Sequence, residues 1–457
     1  MIHQYKLSGR NIVIDTNSGA IHLVDELAFD AIAGYETETK ETFTAVLLER
    51  FPAVEREEIL AVFSDIEALK AEGQLFTSDA AYRKLVGEVK RSGEVKALCL
   101  HVAHTCNLTC EYCFAREGQY HGDRALMSYE VGKQALDFLL ENSGGRRYLE
   151  VDFFGGEPLL NWEVVQALVA YGRSQEAAWG KTFRFTLTTN GMLLNEEVMD
   201  FAAREMENVV LSLDGRPEVH DRFRKTPSGA GSYAMVVPKF QEMVRRLPRR
   251  NYYIRGTFTR HNLDFVEDIL HMADLGFTEL SLEPAVGPPG DLYAPGEADL
   301  PEIFAQYERL ATEMERRRGT AGEFRFYHYT LNFDQGPCVH KRLTGCGSGT
   351  EYLAVTPWGE LFPCHQFVGE ENYSMGDVWQ GVVNTAAREE LAGCNVYNRP
   401  DCADCWARLY CGGGCAANAY HVSGAIQGID GMGCAMFRKR LECGIALWAA
   451  RSTTTSP

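Results

Sequence analysis

His104-Thr-Cys-Asn-Leu-Thr-Cys-Glu-Tyr-Cys-Phe114 places three cysteines, Cys106, Cys110 and Cys113, on one short loop in the spacing C-x3-C-x2-C. An aromatic, Tyr112, stands just before the last sulfur. Three thiolates so arranged hold three corners of a cubic [4Fe–4S] cluster. No fourth cysteine lies in the run, so one iron is left open to a small chelating molecule. A structural zinc site would instead pair its cysteines as C-x2-C and close with a fourth ligand. The loop follows residues 97–103, an apolar run that reads as a strand.

That strand is the first of six. Strands are expected at 97–103, 148–154, 183–189, 208–214, 252–259 and 279–284, with helices over 128–142, 162–178, 195–205, 232–247, 263–275 and 302–316. Strictly alternating strands and helices build a parallel sheet, because each strand must return by a crossover. Six units predict a partial (β/α)6 barrel, with the chemistry on the loops at the C-terminal strand ends. Those ends carry polar signals. Gly155-Gly-Glu-Pro158 follows the second strand, where two glycines permit close backbone approach and Glu157 can accept from an ammonium group. Thr188-Thr-Asn190-Gly ends the third strand and Ser212-Leu-Asp-Gly215 the fourth, as turn chemistry allows. His220-Asp-Arg-Phe-Arg224 follows, and an arginine fork suits a carboxylate. Glu283 ends the sixth strand as a polar lining residue.

In the cluster loop, followed one strand later by Gly155-Gly156-Glu157-Pro158, the chain resembles the radical S-adenosylmethionine (SAM) enzymes. The resemblance implies that Cys106, Cys110 and Cys113 are catalytic as cluster ligands, that the open iron takes SAM, and that reductive cleavage yields a hydrogen-abstracting radical. It implies SAM contacts at Tyr112 (adenine), Gly155, Gly156 and Glu157 (amino group), Asn190, Ser212 (ribose or carboxylate) and Arg224 (carboxylate).

Composition narrows the function classes. The 457 residues carry 45 basic and 63 acidic groups, a net charge of −18, which disfavours non-specific nucleic-acid binding. No apolar run reaches the length of a membrane helix, and no secretory pattern opens the chain, so a cytoplasmic location is expected. The 14 cysteines fall in two blocks, four within 99–113 and ten within 338–443, which suits cofactor ligation better than scattered disulfides. Cys99 reads as a packed thiol; Cys394 and Cys443 have no assigned partner.

Residues 1–85 read as a separate unit. Ile12–Asp15 and Ile21–Val24 flank an Asn-Ser-Gly turn, and helical spacing follows over 26–35, 41–51 and 55–72, with Gly73 as a cap and a closing strand over 74–77. The pattern predicts a winged-helix-like shape. Glu55, Glu57, Glu58, Asp65 and Glu67 crowd its third helix, so DNA contact is disfavoured and peptide capture at a sheet edge is the better reading. The unit resembles the leader-peptide recognition element of peptide-modifying enzymes.

The C-terminal block has Cys346-x12-Gly359-x4-Cys364, then Cys402-x2-Cys405-x5-Cys411-x3-Cys415, and after eighteen residues Cys434. This resembles the SPASM domains, which carry auxiliary clusters. By that resemblance Cys402, Cys405, Cys411 and Cys434 close one [4Fe–4S] cluster, while Cys346, Cys364 and Cys415 hold another with one iron to be filled by Cys338 or by a substrate thiol. Three [4Fe–4S] clusters and SAM are thus the expected cofactors, over domains 1–85 (leader recognition), 86–319 (partial barrel) and 320–457 (SPASM). The whole pattern, with Asp15-Thr-Asn-Ser-Gly-Ala-Ile-His22 and Cys364-His-Gln-Phe-Val-Gly369, most resembles the SCIFF-peptide maturases. That implies thioether bonds from cysteine sulfur to the α-carbon of another residue in a small ribosomal cysteine-rich peptide. The expected partners are this precursor and a reductant such as flavodoxin or ferredoxin, with no nucleic acid or membrane. The alternatives are another SPASM-type maturase, such as a sulfatase maturase, or a non-enzymatic iron–sulfur DNA-binding sensor. Sulfatase maturases normally carry an aspartate base directly after the cysteine matching Cys364, where this chain has His365.

Overall fold

A computed structural model of the chain describes residues 1–88, 93–115, 118–120, 122–247, 251–287, 290–331, 333 and 339–452. The chain starts with a strand that the sequence reading did not anticipate. β1 (Ile2–Leu7) and β2 (Arg10–Asp15) form a hairpin closed by Ser8 and Gly9, both at positive φ, as a two-residue turn requires. β3 (Ala20–Val24) pairs antiparallel on the other side of β2. Helices α1 (Glu26–Gly34), α2 (Lys40–Arg50) and α3 (Arg56–Ala71) cover one face of this sheet. Ile59, Phe63 and Ile66 of α3 pack with Val13, Leu27 and Leu47 in a core of their own.

The closing strand expected over 74–77 does not form. Phe76 adopts a φ of 54°, which breaks an extended run. The Asp15 carboxylate instead takes the Thr77 backbone N–H at 2.8 Å and its hydroxyl at 2.6 Å, folding the segment back onto β2. A further helix, α4 (Ala80–Glu88), follows across the expected boundary at 85. Its Tyr82 and Leu85 pack with Leu343, Val396 and Leu409 of the C-terminal region.

The six barrel units are present. β4 (Ala97–Ala103), β5 (Tyr148–Gly155), β6 (Thr182–Thr189), β7 (Met206–Ser212), β8 (Tyr252–Phe258) and β9 (Glu279–Pro284) pair in sequence order, each parallel to the next. The crossovers are α5 (Tyr129–Asn142), α6 (Trp162–Trp179), α7 (Glu196–Glu205), α8 (Pro217–Phe223) with α9 (Tyr233–Arg246), α10 (Phe265–Asp274), and after β9 comes α11 (Leu300–Arg317). Local chemistry sets the helix ends. Ser128 caps α5 by accepting from the Val131 N–H, and Gly180, at φ 64°, ends α6 in the left-handed region.

The two faces of the strands differ. Leu149, Val151 and Phe153 of β5 and Phe183, Phe185 and Leu187 of β6 are buried beneath the helices. Each such aromatic contributes about 2–3 kcal/mol of burial. The alternate positions, Asp152, Phe154, Thr186, Thr188 and Ser212, line the barrel interior.

The C-terminal region extends the same sheet, a link that the sequence reading did not foresee. β10 (Arg325–Phe326) adds beside β9, and β11 (Tyr352–Val355) pairs parallel with β4. β12 (Glu360–Phe362), β13 (Gly376–Asp377) and β14 (Gly381–Val382) continue antiparallel, for eleven strands in all. A long C-terminal helix, Gly431–Ser452, packs on α11 and β1. Among the described residues no helix is long and apolar enough to cross a membrane. The proposed ligand Cys338 and the tail 453–457 lie outside the described residues.

Candidate functional site

The cluster loop leaves β4 at its C-terminal end and is held by backbone bonds. The Thr109 N–H donates to the Lys225 carbonyl at 2.8 Å, and the Cys113 N–H to the Cys110 carbonyl at 3.1 Å. Cys106, Cys110 and Cys113 are all half-exposed. Burial pushes the Cys106 thiol up to about 11, with Glu157 adding to the rise. It pushes Cys110 up to about 12, against the pull of Arg224. Such thiols stay protonated at neutral pH until a metal displaces the proton.

Gly155 and Gly156 were expected to admit a ligand; in the structure they admit the cluster loop. A Cβ on Gly155, whose φ is +123°, would meet the Ala103 carbonyl oxygen at 2.3 Å, and one on Gly156 the Thr105 carbonyl oxygen at 2.1 Å. Glu157 is fully buried and accepts from Thr189 Oγ1 (2.7 Å), the Asn190 N–H (2.8 Å) and the Leu159 N–H (3.1 Å). Its carboxylate therefore ties the end of β5 to the end of β6. Asn190 in turn points its amide at Asn107 Oδ1 (2.8 Å) and Cys106 Sγ (3.6 Å), so the third strand end does reach the cluster loop.

Tyr112 and Arg224 meet on a residue that the sequence reading quoted without giving it a role. Asp214 accepts from Tyr112 Oη at 2.6 Å, Arg224 Nε at 2.9 Å, Arg224 Nη2 at 3.0 Å and the Thr257 N–H at 2.9 Å. Burial would raise its carboxyl, yet the Arg224 guanidinium holds it below the usual carboxylate range. Arg224 thus already grips a carboxylate, one belonging to the chain. Ser212 lies two residues away, paired in register with Arg255 on β8.

Tyr120, which the sequence reading missed, connects the two cysteine regions. Its ring stacks on His104 (centroids 4.9 Å) and meets Phe114 edge-on. Burial raises its hydroxyl far above the ordinary range, and Cys99, Cys113, Cys106 and Cys364 all add to the rise. Gly369 packs against the Tyr120 carbonyl, which brings to the first cluster loop the segment that begins at Cys364. His365 beside it sets its ring 5.7 Å from Phe114 and 5.1 Å from Phe154, inside the barrel mouth. Glu283 accepts from Arg440 Nη1 at 3.3 Å and lies 3.3 Å from His328 Nε2. No residue spacing flags such long-range partners.

Thirteen cysteines lie among the described residues, and none of them forms a disulfide with another. Burial pushes Cys364 up to about 12, with Cys415 and then Cys346 adding. Cys411 rises to about 12 beside Cys434 and Cys402, and Cys434 to about 11 with Cys402 and Cys405 adding. Among the described residues no three Cys, His, Asp or Glu side chains converge where a single metal ion would sit.

The family model described as "4Fe-4S single cluster domain" matches residues 91–238. The chain is 22% identical over 388 residues to the radical SAM cyclopropyl synthase TigE of Paramaledivibacter caminithermalis, covering 78% of this chain and 75% of that one. Among solved structures, native anSMEcpe with bound AdoMet superposes with a TM-score of 0.66 at 18% identity, over 79% of this chain and 100% of that chain. The chain has the radical SAM fold. Streptococcus suis SuiB bound to its precursor peptide SuiA matches more of the chain, 94% of it and 98% of SuiB, with a TM-score of 0.54 at 14% identity.

Proposed function

We propose that this chain is a radical SAM enzyme that installs thioether cross-links, from cysteine sulfur to a neighbouring α-carbon, in a small cysteine-rich ribosomal peptide of the SCIFF type. The observation that carries the reading is the 5.7 Å approach of the His365 ring, next to Cys364, to the Phe114 ring, next to Cys113, which brings two cysteine sets to one barrel mouth. A peptide in that mouth would face both.

In this reading Cys106, Cys110 and Cys113 hold the first cluster, Cys402, Cys405, Cys411 and Cys434 a second, and Cys346, Cys364 and Cys415 a third. Bound SAM and the first cluster supply the hydrogen-abstracting radical. The protein's own residues orient and enclose. Asn190 and Glu157 fix the cluster loop from beneath, Asp214 fixes it through Tyr112, and Phe114, Phe154 and His365 wall the mouth. The third set supplies three thiols, so a cluster held there would leave one position for a substrate thiol, with Cys338 as the rival ligand. Residues 1–85 act as a winged-helix-like unit that takes the leader of the precursor; the similarity to SuiB bound to precursor peptide SuiA, over 94% of this chain, supports this.

Anaerobic reconstitution with SAM and dithionite tests the reading. The wild type should release 5′-deoxyadenosine, and a precursor encoded beside the gene should lose two hydrogens for each thioether. Cys106→Ala, Cys110→Ala or Cys113→Ala should abolish SAM cleavage while iron at the C-terminal sets remains. Cys338→Ala should leave cross-linking nearly intact. Normal cleavage in any of the three loop variants overturns the assignment.

A further inference from the structure

Arg255 stands in the middle of β8. Its strand neighbours Tyr252, Ile254 and Phe258 are buried under the helices at 2% exposure or less, which turns Arg255 toward the barrel interior. There it is exposed, and it lies in register between Ser212 of β7 and Ser281 of β9. Among the described residues no side chain hydrogen-bonds to it or pairs with it. Arg224, by contrast, is fully engaged by Asp214.

The surroundings of Arg255 leave its charge unbalanced. Ser281, its register partner, meets His328 Nε2 at 3.3 Å, and His328 in turn lies 3.3 Å from Glu283. Glu283 is the acid of that group, and it already takes Arg440. Burial pushes His328 down to about 3, so it is neutral at physiological pH. Arg440 thus takes the carboxylate nearest to Arg255. An unpaired guanidinium that faces the barrel interior attracts an anion. Arginine selects carboxylates because its planar fork donates two parallel hydrogen bonds.

Position decides whose carboxylate. Arg224 is committed to Asp214, which holds Tyr112 of the first cluster loop. Arg255 stands beside Ser281, whose hydroxyl meets His328 on the β9 side. One arginine is thus taken up within the chain and the other is left for a ligand. We infer that Arg255 anchors a carboxylate side chain of the peptide substrate, from an Asp or Glu close to the residue being modified. The inference rests on the peptide-modifying reading and adds a substrate feature to it.

The test uses reconstituted full-length protein saturated with SAM and three synthetic peptides. These are N-acetyl-Gly-Cys-Glu-Thr-Gly amide, its Gln counterpart, and the Gln counterpart with a free C-terminal acid. Calorimetry should show the Glu peptide binding the wild type about tenfold more tightly than the Gln amide. In Arg255→Gln the peptides should bind alike, and Arg255→Lys should restore part of the preference. Equal binding to the wild type overturns the inference, as does no binding of the Glu peptide at about 1 mM. Preference for the free-acid peptide assigns Arg255 to a chain terminus and also overturns it. A fall in SAM affinity in Arg255→Gln, with peptide preference intact, assigns it to the SAM carboxylate and overturns it too. Release of 5′-deoxyadenosine by the wild type reads the enzyme assignment separately, so failure of one is not mistaken for failure of the other.

Discussion

Arg408 Nη2 donates to Asp79 Oδ2 at 3.0 Å, joining the loop between Cys405 and Cys411 to the start of α4. The same nitrogen donates to Asn17 Oδ1 at 3.0 Å, and next to it Trp406 stacks on His3 with ring centroids 3.7 Å apart. The N-terminal unit is thus fastened to the cysteine array by one buried arginine and one stacked indole. Arg408→Met would take a donor from Asn17 and one of two arginines from Asp79, which keeps Arg83 at 3.0 Å, at a cost of about 1.5–3 kcal/mol. Hydrogen exchange should then rise across β1–β3. Unchanged protection there would show that the arginine is not what fastens the unit.

The exposed edge of the N-terminal sheet should bind peptide. β1 is covered, since Tyr5 donates to the Glu442 carbonyl and His3 sits on Trp406. β3 pairs with β2 on one side and stays half-exposed. Its free edge suits an added strand, whose main-chain bonds supply affinity. Glu57 and Glu58 in the first turn of α3 oppose phosphate contact. Fluorescence anisotropy should show the precursor's leader binding the full chain and random duplex DNA not binding. Tighter binding to DNA would reverse the reading.

Acid should weaken the fold through His220. It lies buried between the Asp214 N–H and Ser232 Oγ, and burial first, with Arg224 adding, brings it from 6.5 down to about 4 despite the pull of Asp214. The unfolded chain takes up the proton first as pH falls. Stability is therefore full above 6.5 and is lost as pH drops toward 4, by up to about 3 kcal/mol. Urea unfolding at pH 7, 6 and 5 should show this slope, and His220→Gln should flatten it. An equal slope in both proteins would exclude His220 as its source.

The regular part of this architecture was legible because it repeats. Six strands, from the wholly buried run of β4 to the alternating faces of β5 and β6, and six crossover helices are each encoded within about 15 residues, so local pattern finds them. The eleven-stranded continuation was not legible. β11 has four residues, and its pairing with Leu98 and Cys99 joins positions some 250 apart in sequence, which no local pattern reports. The site divides the same way. Cysteine spacing named the loop, and Asn190 was found from its turn. Asp214, Tyr120 and Arg255 were missed or left without a role because their importance lies in what the folded sheet brings beside them. Glu157 and Arg224 had the right chemistry, but their donors and acceptors are met within the chain, a fact visible only once partners are placed.

Arg224 and Asp214 give the sharpest test of that last point. The pair is buried, bidentate and extended by Tyr112 Oη, so removing the guanidinium strands a carboxylate in the interior. Such losses cost about 3–5 kcal/mol. Arg224→Met should therefore be strongly destabilised and should loosen the loop around Cys110. Asp214→Asn in the same chain removes the stranded charge while keeping an acceptor for the Thr257 N–H, so the double variant should be more stable than Arg224→Met alone. Tyr112→Phe should lose a smaller amount, about 1.5–3 kcal/mol, as one hydrogen bond to a charged group disappears. Unfolding midpoints and SAM affinity for the three variants separate two roles for Arg224. If it anchors Asp214, stability falls in Arg224→Met and recovers in the double variant, while SAM affinity follows stability. If Arg224→Met is as stable as the wild type and only SAM affinity drops, the guanidinium serves the SAM carboxylate instead, as its position after the fourth strand had suggested.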